Sequence, residues 1–164
     1  MNDTLKTLTP GAETAGLDFG PLAERLGYRL RRAQISVFRD FFAAFAPFDI
    51  KPGQYSILTI IERNRGLKQT QVCDALGIKR TNFVAMIDEL EARGLVRRDE
   101  APADRRSHAL VLTAEGEILM PKLHETSAAH EQRIIDCLGR ARHAEMRDTL
   151  AELVAFFEDE TELA

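Results

Sequence analysis

The stretch from Leu67 to Leu90 is the part of the chain that most constrains its fold. Its apolar residues recur at helical spacing on either side of the turn Gly77-Ile78, which predicts a short helix over 68–76 and a longer one over 79–93. The apolar contacts that would lock the two helices at a steep angle come from Leu67, Val72, Leu76, Ile78, Phe83, Ile87 and Leu90. This pattern is typical of a helix-turn-helix, whose second helix enters the DNA major groove. Many other helical hairpins have the same apolar pattern.

A β-hairpin is predicted directly after these helices. Residues 95–98 and 109–112 alternate or run apolar like two short strands, and the polar loop 99–108 between them contains Pro102. A hairpin that follows a helix-turn-helix makes a winged helix, which we expect to occupy residues 51–112. Arg105 and Arg106 are adjacent in the loop, where a wing is suited to reach phosphates or a minor groove.

The flanking segments predict further helices over 21–46, 53–64, 113–138 and 140–160, with Thr113 as a cap and Gly139 as a break. Residues 1–20 lack periodicity and predict a flexible N-terminal arm. The expected fold class is mainly α with a small β-hairpin wing. A winged helix-turn-helix DNA-binding domain over 51–112 would be fused to a helical dimerisation region formed by 21–50 and 113–164.

The composition is that of an ordinary globular protein. The 164 residues are 45% apolar and 29% charged, which excludes wholesale disorder and fibrous classes. No apolar run approaches the ~18 residues of a transmembrane helix, and the first twenty residues lack a secretory hydrophobic stretch. Two cysteines, Cys73 and Cys137, cannot build a disulfide framework. Together these features predict a soluble, cytoplasmic protein with no membrane partner.

The net charge of −4 is unevenly distributed. Residues 62–112 carry ten basic and eight acidic side chains, whereas residues 113–164 carry five basic and twelve acidic ones. A basic middle with an acidic end is typical of a nucleic-acid binder in which only one part touches phosphate. A solvated acidic helix explains the end of the chain equally well, so the charge alone does not decide the function.

Three ordered motifs resemble the MarR family (multiple antibiotic resistance regulators) of bacterial transcription factors. They are Leu90-Glu91-Ala92-Arg93-Gly94-Leu95-Val96-Arg97-Arg98, then Asp104-Arg105-Arg106, then Leu112-Thr113-Ala114-Glu115-Gly116. The resemblance covers roughly residues 22–160. It implies a winged-helix homodimer that binds palindromic operators in double-stranded DNA, usually as a repressor released by a small and often phenolic ligand.

The start of the longer helix departs from the family, which commonly has a small capping residue where this chain has Lys79-Arg80. Cations at a helix N-terminus oppose the macrodipole, and nearby phosphates would offset that cost. The alternative is that Thr81 is the cap and the basic pair lies outside the helix. Thr81 and Asn82 are the best candidates for reading bases, since Asn favours adenine.

Further DNA contacts are expected on both sides of this helix. Gln69 and Thr70 open the preceding helix, where they could bond backbone phosphates. In the wing, the resemblance implies that one of Arg105 and Arg106 reaches DNA while the other pairs with Asp104; a solvated charged turn is the alternative. Val84 and Ala85 stand where the family often carries a polar residue and an Arg, which leaves the operator sequence open.

The first helix carries a stripe of arginines opposite its apolar arc, within about 80° of one another on a 3.6-residue helix. The stripe consists of Arg25, Arg29, Arg32 and Arg39. It is either a solvated face or an anion site. The resemblance implies an effector cleft between the first, second and fifth helices, to which Tyr28, Tyr55 and His124 could add lining. We expect effector binding by Arg25, Arg29, Arg32 and these three residues. An excess of cations suits a polyanion such as the coenzyme A thioester of an aromatic acid.

A second copy of the chain is the simplest partner for the terminal helices. Met146, Leu150, Leu153 and Phe157 repeat at heptad spacing, which suits packing between subunits, with a monomer core as the alternative. We expect Leu150, Leu153 and Phe157 to lie in the dimer interface. The apolar arc of the first helix is likewise too wide for a helix that rests on a single neighbour.

The leading hypothesis is therefore a homodimeric DNA-binding regulator, most often a repressor, with a small-molecule effector: an aromatic acid or its coenzyme A thioester. The alternative is a constitutive or architectural dimeric DNA-binding factor without an effector. We expect no enzyme and no cofactor, because nucleophile and phosphate-loop motifs are absent. We expect no metal site, because His124, His130 and His143 do not share metal-ligand spacing with the carboxylates or cysteines.

Overall fold

A computed structural model describes the backbone of residues 16–101 and 104–162, and their side chains except those of 100–108 and 159–162. The chain divides between Val37 and Phe38 into two compact units. The helices are α1 (Leu26–Phe45), α2 (Pro52–Arg63), α3 (Gln69–Ala75), α4 (Arg80–Ala92), α5 (Ala114–Leu138) and α6 (Arg140–Glu162); the strands are β1 (Val96–Ala101) and β2 (Asp104–Leu112). The strands form one two-stranded antiparallel sheet, which confirms the expected fold class. Residues 1–15 of the predicted N-terminal arm lie outside the described residues.

The first helix begins later than its apolar pattern predicts. A 3-10 turn over Gly20–Glu24 closes with a bond from the Arg25 N–H to the Leu22 carbonyl (3.1 Å), and Arg25 itself is extended, with ψ of 127°. The helix α1 then starts at Leu26. Arg25 therefore precedes the helix, and the prediction that it shares a helical face with Arg29 and Arg32 was wrong.

The hydrophobic core of the second unit is built around α2 and α4. Each contributes three fully buried apolar side chains, and α3, the end of α1, the hairpin and the start of α5 add others. Among these core side chains are Ile57, Leu58, Ile61, Phe83, Ile87, Leu90, Val72, Phe41, Phe45, Val96, Leu110, Met120 and Leu123. The helix-turn-helix pattern is confirmed, because its apolar residues are buried or pack against this core. The resulting core fixes α3 and α4 as one rigid pair.

The hairpin is longer than the sequence predicts. Pairing begins at Val96 opposite Leu112 and continues to Ala101 opposite Asp104, with an irregularity between Glu100 and Ala101. Most of the segment 99–108, predicted as a loop, therefore lies in the two strands. Strand pairing uses backbone groups, so polar residues at the tip do not prevent it, whereas apolar alternation detects only the part that faces a core. At its base, the Leu110 N–H donates to the Leu67 carbonyl (2.9 Å).

The start of α5 is fixed as predicted. Thr113 caps the helix: its Oγ1 accepts from the Gly116 N–H (3.1 Å) and donates to the Gly94 carbonyl. Gly139, with φ of 79°, separates α5 from α6, again as predicted. Among the described residues, no helix combines the length and apolar character needed to cross a membrane.

Candidate nucleic-acid interface

The helix α4 presents a polar and basic first turn to solvent. The helix begins at Arg80, and the preceding Lys79 is the N-cap residue, with ψ of 132° and no capping side-chain bond. The alternative in which Thr81 caps the helix is therefore wrong. Lys79, Arg80, Thr81 and Asn82 are all exposed. Neither Lys79 nor Arg80 makes an ion pair with a residue that the structure describes. Their two positive charges therefore lie at the positive end of the helix dipole without a described counter-charge.

A shallow groove separates α3 from α4 next to this turn. It encloses about 180 Å³ and is lined by Gln69, Thr70, Cys73, Asp74, Ile78, Arg80, Phe83 and Val84. The structure thus brings together Gln69, Thr70 and Arg80, three of the predicted DNA-binding residues, while Thr81 and Asn82 lie outside the groove lining. Val84 is 38% exposed, which leaves an apolar surface beside the first turn of α4. Cys73 is buried as expected, and its Sγ donates to the Ile78 carbonyl (2.8 Å).

The wing joins α4 through ion pairs that the sequence did not indicate. Arg98, in β1, has a side chain only 20% exposed and donates to Asp88 and Glu91 on α4. These two carboxylates are three positions apart and therefore share a helix face. The backbone of Asp104, Arg105 and Arg106 lies in β2. Their side chains lie outside the described part of the chain, so the predicted wing contacts stay predictions.

A second missed contact joins the end of α4 to the chain before α2. Arg93 donates to the carbonyls of Phe48 (2.7 Å) and Asp49 (2.5 Å). Asp49 has a left-handed backbone, with φ of 48°, which Asp tolerates better than most residues. The spacing of apolar residues in the sequence could not predict this contact, because neither an exposed arginine nor a backbone carbonyl changes that spacing. It adds a polar attachment for α4 besides its apolar packing.

Two of the predicted effector residues meet on α2 and α5. The Tyr55 hydroxyl lies 3.1 Å from His124 Nδ1, and His124 Nε2 lies 2.7 Å from a carboxylate oxygen of Glu62. An ionised carboxylate only accepts, so Nε2 carries the proton, and in the neutral imidazole Nδ1 accepts from Tyr55. All three side chains are half-buried. Glu62 was missed by the sequence reasoning; its spacing from Tyr55, seven residues or two helical turns, was the available signal.

The other predicted effector residues belong to the first unit. Arg25, Arg29 and Arg32 are exposed, and none makes an ion pair with a described residue. Tyr28 is half-buried, with its ring centroid 6.0 Å from that of Phe19. Arg29 and Arg32 lie on α1 as predicted, whereas Arg25 precedes the helix and is not part of the stripe.

The predicted dimer residues remain uncovered in the single protomer. On α6, Leu150 is 39% and Phe157 is 61% exposed, while Leu153 is half-buried. On the part of α1 in the same unit, Phe38 and Phe42 are also exposed. Monomer core, the alternative explanation of the heptad repeat, therefore does not account for Leu150.

Comparison with known proteins places these features in a family. A sequence model of the MarR family matches residues 48–107. A protein of Thauera aromatica described as a transcriptional regulatory protein for the hcr operon is 33% identical over 144 residues, which are 87% of this chain and 84% of that protein.

Two solved structures of a transcriptional repressor, CouR, are also similar to this chain. The one bound to a 23-mer DNA duplex has 43% identity, covers 84% of this chain and 98% of its own, and superposes with a TM-score of 0.80. The one bound to p-coumaroyl-CoA has 40% identity, covers 84% and 97% of the two chains, and has a TM-score of 0.79. Together with the helix-turn-helix, the hairpin and the capped α5, these likenesses show that the chain belongs to the MarR family of transcription regulators.

Proposed function

We propose that this protein is a homodimeric repressor that binds a palindromic operator with α4 in the major groove. The observation that carries the proposal is the exposed start of α4. There Lys79 and Arg80, which form no ion pair with a described residue, and two polar side chains stand together at a helix N-terminus. Such a turn supplies phosphate contacts and base contacts at once. The likeness to CouR bound to a DNA duplex supports this reading.

In this proposal the contacts divide by chemistry. Thr81 and Asn82 read base edges, whereas Lys79, Arg80, Gln69 and Thr70 contact phosphates. Arg105 and Arg106 extend the contact from the wing, one of them oriented by Asp104. Residues 51–112 form the DNA-binding domain, and residues 21–50 with 113–164 form the dimerisation region.

Operator reading is tested by selecting bound duplexes from the protein's own genome and repeating the selection with two variants. N82A should relax the preference at one base pair in each half-site, because the lost side chain reads a base. R105A should weaken binding to all sequences alike and lower the slope of log affinity against log salt by about one. N64A, which changes an exposed asparagine at the end of α2, is the matched control for N82A. An unchanged preference profile for N82A would exclude it as a base reader.

For the effector, we propose the coenzyme A thioester of an aromatic acid, on two separate grounds. Arg29 and Arg32 are exposed cations without described partners, and a thioester of coenzyme A carries several phosphate charges for them to bind. The similar repressor CouR has been solved with p-coumaroyl-CoA bound. Release from DNA requires that the thioester bind the form unable to hold the operator more tightly than the form that can.

The effector proposal is tested with p-coumaroyl-CoA, p-coumarate and free coenzyme A. The thioester should raise the thermal midpoint of the wild-type protein and release it from its operator, because a ligand that binds the native state stabilises it. R29A/R32A should keep operator affinity and lose both responses. R140A/R147A, which removes two exposed arginines from α6, is the matched control and should respond like the wild type. If R29A/R32A showed the wild-type thermal shift and release from the operator, the arginine stripe would be a solvated face and not an effector site.

The second candidate function is a constitutive or architectural DNA-binding factor. The exposed first turn of α4 favours it equally, because that turn suits DNA binding whether or not the protein has an effector. It predicts sequence-selective or shape-selective binding that none of the three small molecules changes. The two candidates therefore differ in the thermal shift and the release measurement, not in DNA binding itself.

A further inference from the structure

The side chain of Gln54 is buried to a degree unusual for an amide. It is 1% exposed. Among the described side chains, His130 is the other polar one that is buried. A buried amide destabilises a fold unless its donors and acceptor are hydrogen-bonded. The bonds of Gln54 therefore indicate what the residue does in the first turn of α2.

Both ends of the Gln54 amide have fixed partners. Its Oε1 accepts from the backbone N–H of Lys51 (3.0 Å), at the start of α2. Its Nε2 donates to Oε2 of Glu89 (2.8 Å), on α4, and the same oxygen accepts from Lys51 Nζ (2.9 Å). A flipped amide would set its oxygen against the carboxylate, so only one orientation satisfies all three groups.

The surrounding contacts bring the two helices close together. A Cβ on Gly53 would lie 3.1 Å from the sulfur of Met86, so the backbone of α2 passes tightly over the middle of α4. Apolar packing is non-directional, so it specifies the relative position of two helices less sharply than a hydrogen bond does. A hydrogen bond has a preferred length and angle, and it therefore selects one register.

We propose that Gln54 is a positioning residue for the recognition helix, which it holds through Glu89 at the angle needed for operator reading. The inference rests on the proposed function of α4. Glu89 lies seven residues, or about two turns, after Asn82 on the same helix, so a small rotation at Glu89 displaces the side chains that read bases. Phosphate contacts tolerate such a displacement better than base contacts do, because long cationic side chains can follow the backbone.

The test exchanges the two bonded groups. Q54E sets a second carboxylate against Glu89, whereas Q54E/E89Q places the carboxylate on α2 and the amide on α4 and so restores a donor–acceptor pair. S56A is the matched control, because Ser56 Oγ donates to the Pro52 carbonyl (3.1 Å) in the same turn without involving α4. The measured quantity is the ratio of affinities for the selected operator and for an unrelated duplex of equal length, at pH 8. Circular dichroism verifies the fold of each variant, and sedimentation verifies its oligomeric state.

Q54E should lower this ratio by about tenfold, comparable with the effect of one mismatched base pair. Q54E/E89Q should recover most of the loss, and S56A should keep the wild-type ratio. Q54M removes both hydrogen bonds without adding a charge, and it carries the test if Q54E does not fold. A merely structural role would lower the thermal midpoint of Q54M and leave the affinity ratio unchanged.

The two proposals fail differently. A wild-type protein with no preference among duplexes contradicts the proposed function. A selective wild-type protein whose folded Q54E and Q54M variants are equally selective overturns the role of Gln54, as does a Q54E/E89Q variant that recovers nothing.

Discussion

Gly116 stands where α5 passes too close to the backbone for any side chain. An ideal Cβ at this position would lie 2.2 Å from the carbonyl oxygen of Leu95, well inside contact distance. G116A should therefore lower the free energy of unfolding by about 1–3 kcal/mol, as overpacking does. The measurement is urea unfolding at one fixed protein concentration, because the stability of a dimer depends on concentration.

The same substitution at Gly27 is the control. A Cβ at Gly27, inside α1, meets no atom within 4 Å. G27A should raise the free energy of unfolding by about 0.5–1 kcal/mol, because alanine loses less backbone entropy in a helix than glycine. Equal effects of G116A and G27A would contradict the steric explanation.

At the scale of an element, we expect α4 to give up some stability in exchange for DNA contact. Arg80 is its first residue and opposes the helix dipole. R80Q should therefore stabilise the free protein by about 0.3–1 kcal/mol. It should also weaken DNA binding and lower the salt slope by about one, since one phosphate contact is lost. Thermal unfolding and a salt titration of binding measure the two effects.

Arg140 offers a matched control for this trade, because it is the first residue of α6. R140Q relieves the same unfavourable charge at a helix N-terminus and should give a similar gain in stability with no change in DNA binding. If R80Q bound DNA like R140Q, Arg80 would have no role in DNA contact.

At the scale of the whole molecule, we expect the apolar face of α6 to pack against a second copy of the chain. On this face Met146, Leu150 and Val154 are between 39% and 55% exposed in the protomer. F157D should give a monomeric or unfolded protein, because an unpaired charge buried between subunits costs several kcal/mol. Sedimentation measures the oligomeric state, and the variant should lose operator binding although α4 is untouched.

The control for this prediction lies on the opposite face of the same helix. Ala155 is exposed and lies about 160° around the helix from Phe157 at 100° per residue. A155D should stay dimeric and bind DNA. A folded F157D dimer with normal operator affinity would mean that the two copies meet through another surface.

The sequence by itself determined the local structure and its order. The helical spacing of apolar residues predicted α2, α3 and α4, because a helix that buries one face carries apolar residues at that spacing. Thr113 and Gly139 marked the limits of α5 through capping chemistry that acts within a few residues. The exposed turn Lys79 to Asn82 followed from these boundaries, so the candidate DNA-reading residues were predictable.

Only the tertiary structure decided which polar groups meet. Gln54 bonds a residue 35 positions away, and His124 bonds Glu62 at a distance of 62 positions and Tyr55 at 69. Polar side chains carry no periodic signal, and their partners depend on how whole helices pack. The extent of the hairpin and the break at Arg25 were likewise decided by backbone hydrogen bonds, which side-chain patterns do not report. The sequence therefore predicted the elements that carry the candidate DNA-reading residues, while the hydrogen bonds between those elements appeared only in the folded chain.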